Sequence, residues 1–333
     1  MKNNMENSNI DFVKNTLLIN QFYKILALME NDCQIVPLKG MSLLLSLYQN
    51  DISQRNVGDI DILISENKVE AVSDILQKKM GYVFKDKNYK NGIKVRQKFD
   101  MINPNQKFCD LDIHLGLLNK KSFRTSVDGD FTDFALSRLR KIEHNNTVFF
   151  LLSPIDEWLY LAQHYCFHLF SNEKWLKDLY LLQKKFSVEE KNELIYIAKK
   201  HHFERVVTAV AIHLRNTYAQ DDIIIPKLVT KKYRIFDLIL SNTTKKYAYN
   251  FSNRIIALYW QFIFIDNAKA RFKSFLQLVF PSPIVLSDIY KCKLKLSCIF
   301  YLLHIILLFI QSILFFPFLW FKLKFSTPYI SHD

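Results

Sequence analysis

The chain has 333 residues, half of them hydrophobic, and a formal net charge of +13. Its 28 Phe and 16 Tyr can fill a packed core and exclude a disordered chain, while only 6 Gly argue against an all-β fold with many turns. The positive charge favours anionic partners, which include nucleotides, nucleic acid and anionic lipid.

The five cysteines are scattered and form no CxxC pair, so we expect reduced thiols that act as small hydrophobic side chains. The first eleven residues are polar and lack the apolar centre of a secretory signal. Basic residues are dispersed along the chain, which disfavours a dedicated nucleic-acid reader. These features together predict a cytoplasmic protein.

The first elements predicted in chain order are a helix and a short strand. Apolar residues at helical spacing predict a helix over residues 11–29, and residues 35–38 predict a buried strand, which Pro37 places at a sheet edge. A glycine turn at Lys39-Gly40-Met41-Ser42 and a helical run over 43–48 follow. This order points backbone N–H groups at an anion, although a glycine that ends a strand is more often a simple structural turn.

Asp59 and Asp61 lie two residues apart in the next predicted strand, so both carboxylates point to one face. Like charges in close contact repel, and a divalent cation is the usual remedy. Carboxylate oxygens suit Mg²⁺, which in turn suits phosphates. The alternative is a solvated strand face near the edge of the sheet.

A second acidic strand is predicted over residues 109–115, with Asp110, Asp112 and His114 on one face. A third carboxylate on a neighbouring strand is what a two-metal site needs in addition to such a pair. Asp110 is expected to face solvent or to pair with a lysine. His114 is either a structural histidine or a contact to the nucleotide or to Asp112.

The rest of the chain is predicted to be largely helical. A helix over 66–80 ends at Gly81, and Asn91-Gly92 predicts a hairpin turn before a strand over 94–101. Ser153-Pro154 is a strong helix start. Further helices are expected over 158–170, 175–185, 188–202, 205–215, 234–240 and 255–279. His164 and His168 have the spacing of a zinc pair without the glutamate of a zincin motif, which favours helix packing or a substrate contact.

Residues 296–321 carry no formal charge and lie between lysines on both sides. This length can span a bilayer, but His304, Gln311 and Pro317 interrupt the segment. A transmembrane span, a buried helical hairpin and a helix lying in the membrane interface all stay open. The flanking lysines favour contact with the inner face of a membrane.

Several short motifs stand in a fixed order: Leu38-Lys39-Gly40, Arg55 with Gly58-Asp59-Ile60-Asp61, Leu111-Asp112-Ile113-His114, and Leu161-Ala162-Gln163-His164 with the segment from Trp175 to Leu179. With these motifs the chain resembles the uncharacterised nucleotidyltransferase family of bacteria, within the polymerase-beta-like superfamily. The resemblance implies an α+β fold. Its parts are a small mixed β-sheet nucleotidyltransferase domain over 1–150, a helical domain over 151–288 and an apolar tail over 289–333.

The resemblance also implies the site residues. Asp59, Asp61 and Asp112 are the expected catalytic and metal-binding carboxylates, and Gly40 and Ser42 are expected at the phosphate-binding turn. Lys39 and Arg55 complete the expected nucleotide-binding residues, because their charges can neutralise phosphate, and the alternative for either is a structural ion pair. Met41 separates Gly40 from Ser42, whereas members of the superfamily have an adjacent Gly-Ser or Gly-Gly. His164 or Asp178 is expected to line the acceptor pocket.

The predicted reaction moves a nucleotide from an NTP to an unidentified hydroxyl acceptor with Mg²⁺ or Mn²⁺, with Asp112 as a possible general base. The family suggests a sugar, lipid-linked or peptide acceptor. One alternative is a catalytically weak scaffold that binds a partner at the membrane. Another is a glycosyltransferase, which the short stretch before Asp59 disfavours.

Overall fold

The computed structural model describes residues 2–29, 33–86, 89–90, 93, 97–106, 109–118, 131–144, 147–168, 170–218, 264–290 and 301–310. The hairpin turn predicted at Asn91-Gly92, the helix predicted over 234–240 and the first part of the helix predicted over 255–279 lie outside these residues.

Five strands form one mixed sheet in the order β1-β2-β5-β4-β3. They are β1 Val36–Pro37, β2 Ile60–Leu63, β3 Val83–Phe84, β4 Lys98–Ile102 and β5 Leu111–His114. The β2–β5 pair is parallel and the other pairs are antiparallel. β1 lies at the edge, as predicted from Pro37, because a proline cannot donate a ladder hydrogen bond. A separate hairpin joins β6 Arg140–His144 to β7 Thr147–Leu151.

Four helices accompany the sheet: α1 Lys2–Met29, α2 Lys39–Ser46, α3 Val69–Met80 and α4 Phe131–Leu136, with short 3₁₀ turns at Ile52–Gln54 and Glu66–Lys68. α3 ends at Gly81, whose φ of 72° is left-handed, so the predicted glycine cap is confirmed. The predicted glycine turn before α2 is wrong. The helix begins at Lys39, and Gly40 lies in its first turn without a positive φ.

The second half is helical, as predicted. Its helices are α5 Pro154–Phe167, α6 Glu173–Lys184, α7 Val188–Lys200, α8 Glu204–Tyr218, α9 Ala268–Val279 and α10 Pro283–Tyr290, and residues 301–310 are also helical. Ser153 caps α5 by accepting a hydrogen bond from the backbone N–H of Asp156, and Pro154 occupies the first turn.

One buried apolar cluster runs through both halves of the molecule, from Leu18 on α1 to Phe264. α5 is central to it and packs against α6, α7 and α8. Its Trp158 is fully buried and donates the indole N–H to the carbonyl of Leu179 at 3.1 Å. The helical half therefore shares its core with the sheet, and the architecture is the predicted α+β fold.

Across the described residues, no helix combines the length and the apolar character that crossing a bilayer requires. Of the apolar segment predicted at 296–321, only 301–310 falls within that part of the chain.

Candidate active site

The site is organised by the only parallel strand pair among the described sheet pairings, β2 and β5. Asp61 lies directly opposite Asp112 in the register, and Leu63 lies opposite His114. Residues two apart on β5 share a face, so Asp112 and His114 project to the same side of the sheet. The backbone N–H of Ile60 donates to the carbonyl of Asp110 at 2.9 Å, which continues the pairing to the start of the acidic segment.

Asp61, Asp112 and His114 form a compact group of oxygen and nitrogen ligand atoms. The His114 Nε2 atom lies 3.0 Å from Asp61 Oδ1 and 3.4 Å from Asp112 Oδ2. One ligand atom from each residue lies within 4.8 Å of the others. The Oδ1 atom of Asp112 is buried and, among the described residues, has no hydrogen-bond partner.

Two lysines contact these carboxylates. The Lys39 ammonium lies 2.6 Å from Asp61 Oδ1 and 3.9 Å from Asp112 Oδ2. The Lys98 ammonium, from β4, lies 2.7 Å from Asp112 Oδ2 and 4.0 Å from Asp100 Oδ1. Lys39 adopts φ 49°, an uncommon conformation for a residue other than glycine, and such outliers cluster at functional sites.

The charges of the group shift one another's protonation. Burial acts to raise the pKa of Asp112, but His114, Lys98 and Lys39 outweigh it and hold that pKa well below its usual range. Burial and Lys39 act to lower the pKa of His114, but the carboxylates of Asp112 and Asp61 outweigh them and raise it. An Asp112 carboxylate whose pKa is held low stays ionised and is suited to bind a cation.

Asp59 lies just before β2 and is not a member of the compact group of three. Burial, with the nearby Asp61 charge, raises its pKa to about 6. Asp59 instead lines a cleft of about 430 Å³ beside the group. The residues around this cleft are Gly58, Asp59, Lys85, Lys98, Asp100, Ile102, Asp110, Leu111 and Asp112. Asp110, expected to face solvent or to pair with a lysine, is also on its wall.

Gly40 and Ser42 lie in the first turn of α2 and are both buried. A Cβ on Gly40 would come within 2.9 Å of Val57 Cγ1, so this glycine allows α2 to approach the segment before β2. The Ser42 hydroxyl faces the Glu157 carboxyl without a hydrogen bond of normal geometry among the described residues. Both residues thus face the protein interior.

Arg55 forms a buried ion pair with α6. Its Nε–H donates to both oxygens of Asp178, at 3.0 Å and 2.9 Å, and the Tyr48 hydroxyl donates to the same carboxylate at 2.8 Å. Asp178 is fully buried. This carboxylate therefore joins the helical half to the segment before β2 and does not line an open pocket, contrary to one of the two expectations for the acceptor side.

α5 presents Glu157, Tyr160 and His164 at the spacing of one helix face. Tyr160 interacts with Lys39, and burial lowers the pKa of His164, with Lys39 next in effect. The ring of His164 lies 4.5 Å from that of His168 and 4.6 Å from that of Trp175, measured between centroids. These ring contacts agree with the helix-packing role that the sequence favoured for His164 and His168. The two histidines lie beside the candidate site.

A model of the uncharacterised nucleotidyltransferase family matches residues 4–219, which is more than half of the 333 residues. The chain belongs to this family. The matched region includes every residue of the compact group, both lysines and the whole of α5. Membership makes the protein a transferase that moves nucleotides.

A solved structure is also similar to this nucleotidyltransferase. It is the solution structure of the antibiotic-resistance factor ANT(2'')-Ia, with 11% sequence identity, 56% of this chain and 93% of that chain covered, and a TM-score of 0.40. No curated protein matches the chain.

Sequence reasoning missed Lys98 and Asp100, which lie on β4 next to the acidic group. Asp100 stands directly opposite Asp112 in the register, and burial, with the Asp112 charge, raises its pKa. The sequence contained a signal for both residues, because Lys98 and Asp100 are two apart on the strand predicted over 94–101 and therefore share a face. Which face meets β5 is decided only by the pairing of the sheet.

Proposed function

We propose that this nucleotidyltransferase is metal-dependent and transfers a nucleotide from an NTP to a hydroxyl acceptor at the Asp61–Asp112–His114 group. The observation that carries the proposal is the pairing of Asp61 with Asp112 on adjacent parallel strands, with His114 between their side chains. Two carboxylates held this close are costly unless positive charge is shared between them. The divalent cation of a metal–nucleotide complex would add to the positive charge that Lys39 and Lys98 already supply.

The residues present fit a divalent cation. Asp112 has a buried oxygen with no hydrogen-bond partner among the described residues, and the three ligand atoms converge. Carboxylate oxygens suit Mg²⁺ or Mn²⁺. Asp61 and Asp112 would hold the ion, with Asp59 as the third carboxylate at the mouth of the cleft. When bound, the ion supplies charge stabilisation for the phosphoryl oxygens and activation of the acceptor hydroxyl.

The two lysines of the site, Lys39 and Lys98, are also suited to bind phosphate. Lys39 and Lys98 neutralise Asp61 and Asp112 in the structure, and both are long side chains that can turn to phosphate oxygens. Of the predicted nucleotide-binding residues, Lys39 is the one that contacts the carboxylates. The roles predicted for Gly40, Ser42 and Arg55 stay predictions, and the buried positions of these residues favour support of the site from behind.

The acceptor is proposed to be a sugar, lipid-linked or peptide hydroxyl, and the protein to act in the cytoplasm with membrane contact through 296–321.

A specific observation also favours the scaffold alternative. Both carboxylates already carry a lysine ammonium within 2.7 Å, so the site is electrically satisfied without a metal. A catalytically weak protein that binds a partner would keep such pairs closed.

The test is a panel of the NTPs with Mg²⁺ or Mn²⁺, with nucleotide binding and pyrophosphate release measured for purified protein. We expect one or more NTPs to bind and turn over. Asp61→Asn and Asp112→Asn should lower turnover by roughly 10²- to 10³-fold, because metal-assisted stabilisation is worth several kcal/mol.

Asp74→Asn is the matched control, because Asp74 is exposed and pairs only with Lys78 in the described structure. It should leave turnover unchanged. Nucleotide binding without turnover in the wild type would support the scaffold, and no binding of any NTP would contradict both the enzyme and its metal site.

A further inference from the structure

Exposed large apolar side chains are concentrated in the last described part of the chain. Residues 264–290 and 301–310 hold ten of the nineteen such side chains found across the described residues. These ten are Phe272, Phe275, Leu276, Phe280, Leu302, Leu303, Ile305, Ile306, Phe309 and Ile310. A contiguous exposed apolar surface marks a site of interaction, whereas apolar residues scattered singly do not.

The burial pattern of the 301–310 helix is the opposite of that of a helix that faces water. Its imidazole, His304, is 6% exposed and its Nδ1 lies 2.9 Å from the Tyr290 hydroxyl. By contrast, Leu302 is 67% exposed and Phe309 is 66% exposed. A water-facing helix buries its apolar residues and exposes its polar ones. The outward face of this helix therefore suits an apolar surrounding.

α9 carries a different kind of face. Lys269, Phe272, Lys273, Leu276 and Phe280 follow the spacing i, i+3, i+4, i+7 and i+11, which places them on one stripe, the basic–apolar face. Phe272 is 63% exposed and Phe280 is 57% exposed. The sequence has no acidic residue from 267 to 287. Lysine and phenylalanine thus share one exposed, cationic surface.

The two elements adjoin. The Tyr301 hydroxyl donates to the carbonyl of Pro281, which follows Phe280 directly, and the Tyr290 ring packs edge-on against His304. The N-terminal end of the 301–310 helix is therefore next to the C-terminal end of the basic–apolar face. Exposed apolar residues therefore lie on both elements that adjoin at this corner.

We propose that the basic–apolar face of α9, with the adjoining 301–310 helix, binds the surface of an anionic lipid bilayer. The Lys269 and Lys273 ammonium groups would meet the anionic headgroups, and Phe272, Leu276 and Phe280 would enter the acyl boundary beneath. A second copy of this chain fits the face less well. A symmetric dimer would bring two copies of the same cationic surface together, and like charges repel.

The experiment uses full-length protein and sedimentation with vesicles of pure phosphatidylcholine or of phosphatidylcholine with 30% phosphatidylglycerol. We expect binding that requires the anionic lipid and weakens with salt. Lys269→Gln/Lys273→Gln should lower the partition coefficient by roughly 25-fold, about fivefold for each lysine near the surface. Phe272→Ser/Phe280→Ser should lower it by roughly 10-fold or more, because each buries a large ring.

Val188→Ser/Tyr196→Ser is the matched control, because both side chains are exposed and apolar but belong to α7 and not to the basic–apolar face. It should bind vesicles like the wild type, and all variants should keep the wild-type circular dichroism spectrum. Unchanged vesicle binding by the two α9 variants would overturn the proposal, as would equal binding to neutral and anionic vesicles. A wild-type oligomer in light scattering that Phe272→Ser/Phe280→Ser converts to monomer, without lipid binding, would assign the face to a second copy.

Discussion

Lys39 and Asp61 form a 2.6 Å ion pair at the centre of the candidate site. The same ammonium lies 3.9 Å from Asp112, so one lysine of α2 is close to both carboxylates that β2 and β5 bring together. Burial acts to lower the pKa of Lys39, but Tyr160, Asp61 and Asp112 outweigh it and raise that pKa. Lys39 therefore stays charged and competes with any other cation for Asp61.

Removal of this lysine should free the carboxylate for a metal ion. We expect Lys39→Met to bind Mn²⁺ roughly tenfold more tightly than the wild type in the absence of nucleotide. That change is equivalent to about 1.4 kcal/mol, the order of a hydrogen bond to a charged group. Isothermal titration measures it, with Lys78→Met as the control, because Lys78 is an exposed residue of α3. Weaker Mn²⁺ binding by Lys39→Met would show that the lysine does not compete with the ion.

Gly40 packs closely against Val57, so mutation of these two residues can distinguish a packing role of the glycine from a phosphate-binding role. Gly40→Ala should lower the free energy of unfolding by about 1–3 kcal/mol, because its Cβ would overlap the Val57 methyl groups at 2.9 Å and 3.0 Å. Urea unfolding measures the change. Gly58→Ala is the control, because a Cβ there meets nothing within 4 Å.

A second substitution completes this test. Val57→Ala in the Gly40→Ala background should restore much of the lost stability, since it removes the methyl groups that clash. If Gly40 acts only in packing, the double variant should bind NTP with the wild-type Kd. A stable double variant that has lost NTP affinity would instead support the predicted role of Gly40 in phosphate binding.

The Arg55–Asp178 pair should be costly to break on one side. Arg55→Met leaves the fully buried Asp178 carboxylate with the Tyr48 hydroxyl as its hydrogen-bond donor among the described residues, and we expect a loss of about 3–5 kcal/mol in the free energy of unfolding. Replacement of both charges, Arg55→Met/Asp178→Leu, should recover most of it. Denaturant unfolding measures both variants.

The exposed pair of Lys78 and Asp74 is the control for Arg55, since loss of either of these charges should cost less than about 1 kcal/mol. An additive double variant would contradict the coupling of Arg55 to Asp178. Weakened NTP binding in a double variant of restored stability would show that Arg55 also serves the nucleotide.

Glu157 should make the protein less stable as pH rises. Burial raises the pKa of this 1% exposed carboxyl from 4.5 to about 7. Between these values the folded state holds a proton that the unfolded state releases, so the free energy of unfolding falls with rising pH. Glu157→Gln should remove this slope and stabilise the protein at pH 8, by at most about 3 kcal/mol.

Thermal or urea unfolding from pH 5 to pH 8 measures the Glu157 effect. Other buried acids with raised pKa values, such as Asp156 and Asp266, contribute a slope of the same sign in every variant. The difference between Glu157→Gln and wild type isolates one residue, and Glu70→Gln on an exposed part of α3 is the control. Parallel curves for Glu157→Gln and wild type would mean that Glu157 keeps an ordinary pKa in the folded state.

Much of the fold follows from patterns that act over a few residues. The end of α3 at Gly81 and the start of α5 at Ser153 are local events, because a left-handed cap and a serine cap each satisfy backbone groups within one turn. The edge position of β1 follows from Pro37 in the same way. The shared strand face of Asp112 and His114 follows from the two-residue repeat of side chains along a strand.

The family itself was recognisable from the sequence, and the match over residues 4–219 confirms it. The short motifs around Asp61, Asp112 and Trp175 follow one another in a fixed order along the sequence. The family can therefore be recognised without knowledge of the fold. The presence of two acidic strands also predicted that carboxylates would meet, since neighbouring strands bring their faces together.

Only the tertiary structure decided which partners these residues have. Strand pairing selected Lys98 and Asp100 as neighbours of Asp112, and helix packing turned Arg55 toward Asp178, 123 positions away in the chain. The sequence by itself determined the elements, the family and the acidic faces, because these depend on spacing along the chain. Which charges neutralise one another depends on long-range packing, where burial makes an unpaired charge costly and so selects its partner.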